Sequence, residues 1–297
     1  MYRTFVIVRH TFLEAIVQPI FALLMGLGAT VLLIYGLLPF FTLGEDTVMY
    51  KSVGLDVILL VVLIVTLFAT SKSIHEEIED RTMLTLMSKP IYKWEVLVGK
   101  YLGIILSSLL GVVILGTVMM VLMRSRIPGD YMLRWASLDD RDIKQIFDYR
   151  MMHGVGLAAS LFLVWLQICV LAAIGVALST RFSLVVNLPT VILIYIAGNL
   201  TRFLFPLDHR SDAVKLFAYV ASSLLPFLQT FDIRQYTVFH EISVPGTAFY
   251  KSRGAISIGA ILRYLAIATG YAITYAAFAL STGMWLFQTR ELGGAEG

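Results

Sequence analysis

The sequence predicts an all-α membrane protein with six transmembrane helices, and three observations carry that expectation. Of the 297 residues, 58% are hydrophobic and only 14% charged, with a mean hydropathy of +0.82. Water-soluble domains carry roughly a quarter charged residues, so this chain lacks the charge to cover an aqueous surface. The chain also contains long windows free of Asp, Glu, Lys and Arg, and about 20 apolar helical residues suffice to cross a hydrocarbon core. Finally, these windows lack the period-two alternation of barrel strands, and backbone in lipid must satisfy its own hydrogen bonds; that leaves helices.

The N-terminal stretch comes first. Over residues 2–16, Phe5, Val8, Phe12, Leu13 and Ile16 recur at helical spacing, away from Arg3, His10 and Glu14. That pattern predicts an amphipathic helix lying in the membrane interface. The mixture of Arg3, Arg9, His10 and Glu14 also argues against a removable signal peptide.

The spans follow at 19–43, 53–72, 100–123, 151–180, 182–202 and 264–289. The second reaches full length only if residues 53–56 join it, which sets Asp56 near the interface. All six belong to one transmembrane domain covering residues 1–297, without an attached soluble domain. The single cysteine, Cys169, falls inside the fourth window, so it predicts a small buried hydrophobe and no intrachain disulfide. Gln167, Asn187 and Asn199 are expected to hydrogen-bond between helices.

Residues 73–89 are the most distinctive connector. Ser73 and Glu76 stand at capping-box spacing, so a helix is expected to start there. Glu76, Glu77, Glu79 and Asp80 then lie near its positive dipole end, and Pro90 stops it. Each charge at mid-membrane costs about 2.5–3.5 kcal/mol, so these acids with Arg81 cannot lie in lipid. Lys93 and Trp94 form an interfacial pair leading into the third span. The connectors 124–150 and 203–262 mix both signs. The first predicts a small helix near 139–151. The second holds an apolar stretch, 216–231, which is too short for a crossing and carries Pro226, so it reads as re-entrant or interfacial.

Several chemistries are excluded. No glycine-rich loop ends in Gly-Lys-Ser or Gly-Lys-Thr, so the chain has no phosphate-binding loop of its own for ATP. His75-Glu76 begins like a zinc-protease motif, but position 79 is Glu79 where a second histidine is needed. Asp139, Asp140 and Asp142 read as a solvated loop, not a metal site. A net charge of +3 with scattered cations gives no stripe for nucleic acid. Glu76-Glu77-x-x-x-Arg81 and Phe205-x-x-x-His209 resemble two elements of the intramembrane CAAX-type proteases. However, Pro206 breaks the second element and it falls in a polar connector, so that reading, with Glu76/Glu77 and His209 as its site, stays an alternative. An ATP-independent carrier or channel is a further alternative, disfavoured because the windows lack charges that mark ion pathways.

The stretch Glu77-Ile-Glu-Asp-Arg-Thr-Met-Leu-Thr-Leu-Met-Ser-Lys-Pro90, followed by Gly99-Lys100, resembles the signature of ABC-2-type transporter permeases, such as the nitrous-oxide-reductase maturation and gliding-motility permeases. Leu225-Pro226 leading to Phe231-Asp232, and Phe287-Gln-Thr-Arg290-Glu291-Leu292, agree with it. The resemblance implies that 73–89 is a cytosolic coupling helix seated on a separate ATP-binding cassette subunit. Glu76, Glu77, Ile78, Glu79, Asp80, Arg81, Thr82, Leu84 and Leu86 would form that interface. ATP-Mg would bind in the partner and no cofactor in this chain. Six spans would make half an exporter, completed by a second copy or a sister permease in a prokaryotic inner or plasma membrane. Both termini would be cytosolic, with 124–150 and 203–262 extracytoplasmic. Lysine and arginine counting does not favour this orientation, which rests on the resemblance.

Overall fold

The computed structural model of the chain describes residues 2–37, 46–80, 82, 92–130, 140–204, 225–238, 240–248, 250 and 255–288. Among these, the architecture is helical. Helix α1 (Tyr2–Val17) is followed after Gln18 by α2 (Pro19–Leu37). Helix α3 (Asp46–Thr70) continues through a π-helical stretch, Ser71–Glu76, into one closing α turn, Glu77–Glu79. Helices α4 (Lys93–Asp130) and α5 (Asp140–Ser179) are the longest, and α6 (Leu184–Leu204) follows a short turn. A 3₁₀ turn (Leu228–Phe231), helix α7 (Arg234–Thr237) and a parallel pair of two-residue strands, β1 (Ile242–Ser243) and β2 (Ile256–Ser257), precede α8 (Ile258–Gln288).

Among the described residues, five helices are long and apolar enough to span a bilayer: Pro19–Leu37, Thr47–Glu79, Lys93–Ile127, Ile143–Ser179 and Ile258–Gln288. The span expected at 182–202 is a helix of 21 residues, Leu184–Leu204, with Pro189 inside it. Helix α5 is the centre, 72% buried across its apolar window, against 22% for α2 and α8. The outer pair therefore leaves most of its surface uncovered by the rest of the chain. Small residues let the centre close up. The buried face of α8 includes Ala268, Ala272, Ala276, Ala279 and Gly283, and a Cβ on Gly283 would stand 2.8 Å from the Ala177 Cα of α5.

Three expectations need correction. No new helix begins at Ser73: α3 runs on through it without a side-chain cap. The small helix near 139–151 is the first part of α5, not a separate element. Leu225 to Phe231, the described part of 216–231, is an extended turn closed by the 3₁₀ turn; residues 216–224 lie outside the described residues.

The 225–250 segment sits on the first turns of α3 and α5. Arg234 donates to Asp56 and to the Ser52 carbonyl (3.3 Å), with Asp232 at 3.5 Å. Burial pulls the Arg234 pKa down, but the hydrogen bond and charge of Asp56, with Asp232, outweigh it and hold it above the usual value. Thr237 and Ser160 share a hydrogen bond of 2.7 Å, and the Asp148 carboxylate accepts from the Ala248 amide at 3.0 Å. Lys51 is fully buried: its Nζ lies 2.9 Å from His153 Nδ1 and donates to the Val238 carbonyl at 3.3 Å. Lys51 precedes the second charge-free window, so it is an interior residue outside the expected spans.

Candidate coupling site

The charged segment is built from the end of α3 outward. Ile74 and Ile78, four residues apart, turn into the protein, at 1% and 8% exposure. Lys72, Glu76, Glu79 and Asp80 fall on the opposite side and are exposed. Helical spacing thus divides the segment into an apolar keel and an acidic outer ridge. His75 Nε2 lies 3.5 Å from Glu79 Oε2, a contact of the i,i+4 type.

Beneath the ridge, three elements meet at Lys100. Its side chain is buried; the ammonium donates to the Ser73 carbonyl and to Ser73 Oγ (3.1 Å), and pairs with Glu77 Oε1 at 2.7 Å. This explains the missing capping box, because the hydroxyl expected to cap a helix is engaged by a lysine 27 residues away. The glycines around Lys100 admit α1 from the other side. A Cβ on Gly99 would stand 2.9 Å from Ile7 Cγ2, and one on Gly103 would stand 2.8 Å from the Val8 carbonyl oxygen. The amphipathic helix therefore lies on α4 at backbone contact. A cleft of about 310 Å³ remains between them, lined by Val6, Ile7, His10, Thr11, Glu77, Thr82 and Lys100.

The C-terminal end of α8 joins the same region, with Lys93 Nζ 5.3 Å from the centre of the Phe287 ring. On the upstream side Asn187, fully buried in the first turn of α6, approaches Thr70, Ser71, Gly175 and Ser179. The expectation that Asn187 bonds between helices describes this contact.

Of the residues expected to meet a partner, Glu76, Glu79 and Asp80 are outward and available, and Thr82 is exposed with its hydroxyl on the Glu77 carbonyl at 3.1 Å. Two corrections concern individual side chains. Glu77 is turned to Lys100, and Ile78 is buried as part of the keel, so neither belongs to the outer face. Arg81, Leu84 and Leu86 lie outside the described residues, as do Phe205 and His209. No group of three metal-ligating side chains occurs among the described residues.

The sequence profile of the ABC-2 family transporter proteins matches residues 13–292. The chain belongs to the ABC-2 family. It is an integral membrane protein and a permease of the ABC transporter class. Members of the ABC-2 family are the membrane component of a transporter and not its catalytic part. Among curated proteins, none matches this sequence. In this ABC-2 permease the Gly99-Lys100 pair sits under the charged inter-span segment and holds it to the body of the membrane domain.

Proposed function

We propose that this chain is the permease subunit of an ATP-driven exporter with six spans, and that a separate ATP-binding cassette subunit works on its 73–89 segment. The partner binds ATP-Mg and hydrolyses it; this chain converts the resulting motion into movement of a substrate across the membrane. A second copy or a sister permease completes the transporter, with the path between the two halves. The termini and the 73–89 segment face the cytosol.

The observation that supports this most directly is the Lys100 junction. Force on the Glu76–Glu79–Asp80 ridge reaches α3 through the chain, α4 through Lys100, and α1 through Gly99 and Gly103. A segment held to α4 and α1 through Lys100 and its flanking glycines moves with them as a body, which is what a rigid-body transition requires. The acidic ridge also fits a partner groove carrying lysine or arginine, since complementary charge sets orientation and association rate.

Purification of the full chain from its native membrane tests this. An ATPase subunit should co-purify, and the Glu79→Lys, Asp80→Lys double variant should weaken its retention about tenfold while remaining folded. Unchanged retention and unchanged ATP hydrolysis would remove the ridge from the interface. Peptide cleavage by the purified chain, lost on Glu76→Ala, would replace the proposal with the protease reading.

A further inference from the structure

The π-helical stretch Ser71–Glu76 interrupts an otherwise regular helix, and such single-turn widenings are frequent at functional positions. Its two ends are held by different parts of the protein. On the downstream side Lys100 of α4 takes the Ser73 carbonyl and hydroxyl and the Glu77 carboxylate. On the upstream side the clamp is Asn187 of α6.

Asn187 has no exposed surface. Its Nδ2 lies 2.7 Å from Ser179 Oγ, 3.2 Å from Ser71 Oγ, 3.2 Å from the Gly175 carbonyl and 3.4 Å from Thr70 Oγ1. A carboxamide nitrogen has two hydrogens to give, so four acceptors compete for two donors. Meanwhile Oδ1 is buried without a partner. The surrounding hydroxyls donate elsewhere, Thr70 to the Leu67 carbonyl and Ser179 to the Gly175 carbonyl, each at 2.8 Å. The knot is thus crowded with acceptors at one end of the amide and empty of donors at the other.

A carboxamide is nearly the same shape when turned by half a revolution. Turned so, Oδ1 accepts from the Ser71 hydroxyl and one of its neighbours, and the Gly175 carbonyl gives up the amide donor it has at 3.2 Å. The same volume therefore supports two hydrogen-bond arrangements, and the partners exchanged are those that bracket the start of the π turn. Gly175 permits the approach, because a Cβ there would stand 2.9 Å from Leu67 Cδ2 and 3.5 Å from Thr70 Oγ1.

We propose that Ser71–Glu76 is the pivot on which the charged segment swings relative to α3, and that Asn187 is the positioning residue that holds its fixed side. The inference rests on the coupling role proposed above. As the π turn winds and unwinds, Thr70 and Ser71 shift against α5 and α6, and the Asn187 carboxamide is the group they meet. Lys100 carries the moving side through Ser73 and Glu77, so the bend falls where the Asn187 grip on Thr70 and Ser71 gives way to the Lys100 grip on Ser73.

The experiment uses the complex of the full chain with its co-purifying ATPase subunit. Spin labels are placed at Tyr92→Cys and Phe182→Cys, two exposed positions, the first at the foot of α4 on the Lys100 side and the second on the Asn187 side of the pivot; Cys169 is buried and stays unlabelled. In the otherwise wild-type chain the distance distribution should shift between nucleotide-free and ATP-bound states. Adding Asn187→Leu should abolish that shift and cut permease-dependent stimulation of ATP hydrolysis about tenfold, while the ATPase subunit remains bound. Asn187→Asp, an acceptor at both ends, should hold the distance at one of the two wild-type values. A purely packing role would instead lower the amount of folded complex and leave the shift intact in what survives. A wild-type shift that persists unchanged in Asn187→Leu overturns the pivot and leaves the coupling reading standing. Absence of any co-purifying ATPase overturns both. If Asn187→Leu fails to accumulate, Asn187→Ser is read by the same criteria.

Discussion

Lys100 and Glu77 form a 2.7 Å ion pair that ties the base of α4 to the last turn of the helix that begins with α3. The lysine is buried and the carboxylate three-quarters covered, at 25% exposure, so the two ends are not equivalent. Removing the ammonium leaves a carboxylate and the Ser73 carbonyl short of a donor. Removing the negative charge leaves a lysine that keeps both Ser73 contacts.

Lys100→Met should therefore destabilise the protein by about 2–3 kcal/mol, the scale of hydrogen bonds to a charged group, and Glu77→Gln by about 1 kcal/mol. Thermal unfolding in detergent measures both. Equal losses for the two would mean that the Ser73 contacts add nothing.

The outer ridge should behave oppositely. Glu79 and Asp80 are exposed, and substitutions at such sites usually stay within about 0.5 kcal/mol. The Glu79→Lys, Asp80→Lys variant should unfold at the wild-type temperature while losing its ATPase partner, and the residual association should depend on salt. A fall in unfolding temperature as large as that of Lys100→Met would place these side chains in the fold and not at a surface.

Gly103 offers a separate handle on α1. A Cβ there would stand 2.7 Å from Thr11 Cβ and 2.8 Å from the Val8 carbonyl oxygen, so Gly103→Val must push α1 away. Overpacking of this kind costs about 1–3 kcal/mol. The expected readout is faster proteolysis near residues 2–17 together with loss of a disulfide engineered between Ile7→Cys and Gly99→Cys. Retained cross-linking in the Gly103→Val background would show that α1 is not held at this site.

At the other end of α3, two cations hold the 234–238 segment, and their burial ranks them. Lys51 has no exposure, whereas Arg234 and Asp56 are 20% and 48% exposed at the side chain. Lys51→Ala should cost about 1–3 kcal/mol by leaving the buried Val238 carbonyl without this donor. Arg234→Ala should cost less, about 1 kcal/mol or below, because its pair is partly in solvent. A double-mutant cycle over Lys51 and His153 should give a coupling above about 0.5 kcal/mol; additive losses would deny that the two act together.

Much of the architecture is legible in the sequence because lipid imposes a simple rule. Windows without charge become helices, and the acidic run between the second and third stands where the sequence sets it. What cannot be read locally are contacts made by residues distant in sequence. The Ser73–Glu76 spacing satisfies a local rule for starting a helix, yet Lys100 takes the serine and the helix runs through. Lys51 precedes the second charge-free window, where nothing local marks it as an interior residue. It is fully buried because His153 and the Val238 carbonyl arrive from positions about 100 and 190 residues later. Glu77 counts with its neighbours as a surface acid, and only the fold separates it from Glu76 and Glu79. Asn187 reads as an interhelical bonder, but its partners at Thr70 and Ser71 depend on the packing of α3, α5 and α6. Pro189 is visible in the sequence, yet α6 runs through it from Leu184 to Leu204.

The helix from Thr47 to Glu79 carries Lys51, Ser52 and Asp56 at one end and the acidic ridge at the other. Both ends therefore draw on the free energy of the same 33-residue rod. Thermodynamic reciprocity then applies between them: if both ends bias one equilibrium of that rod, whatever the ridge gains in affinity for its partner when the 234–238 segment is clamped, the clamp gains when the partner binds, by the same factor. An antibody or nanobody that recognises the 234–238 segment would become a gauge of ATPase binding at the far end, read without a known substrate.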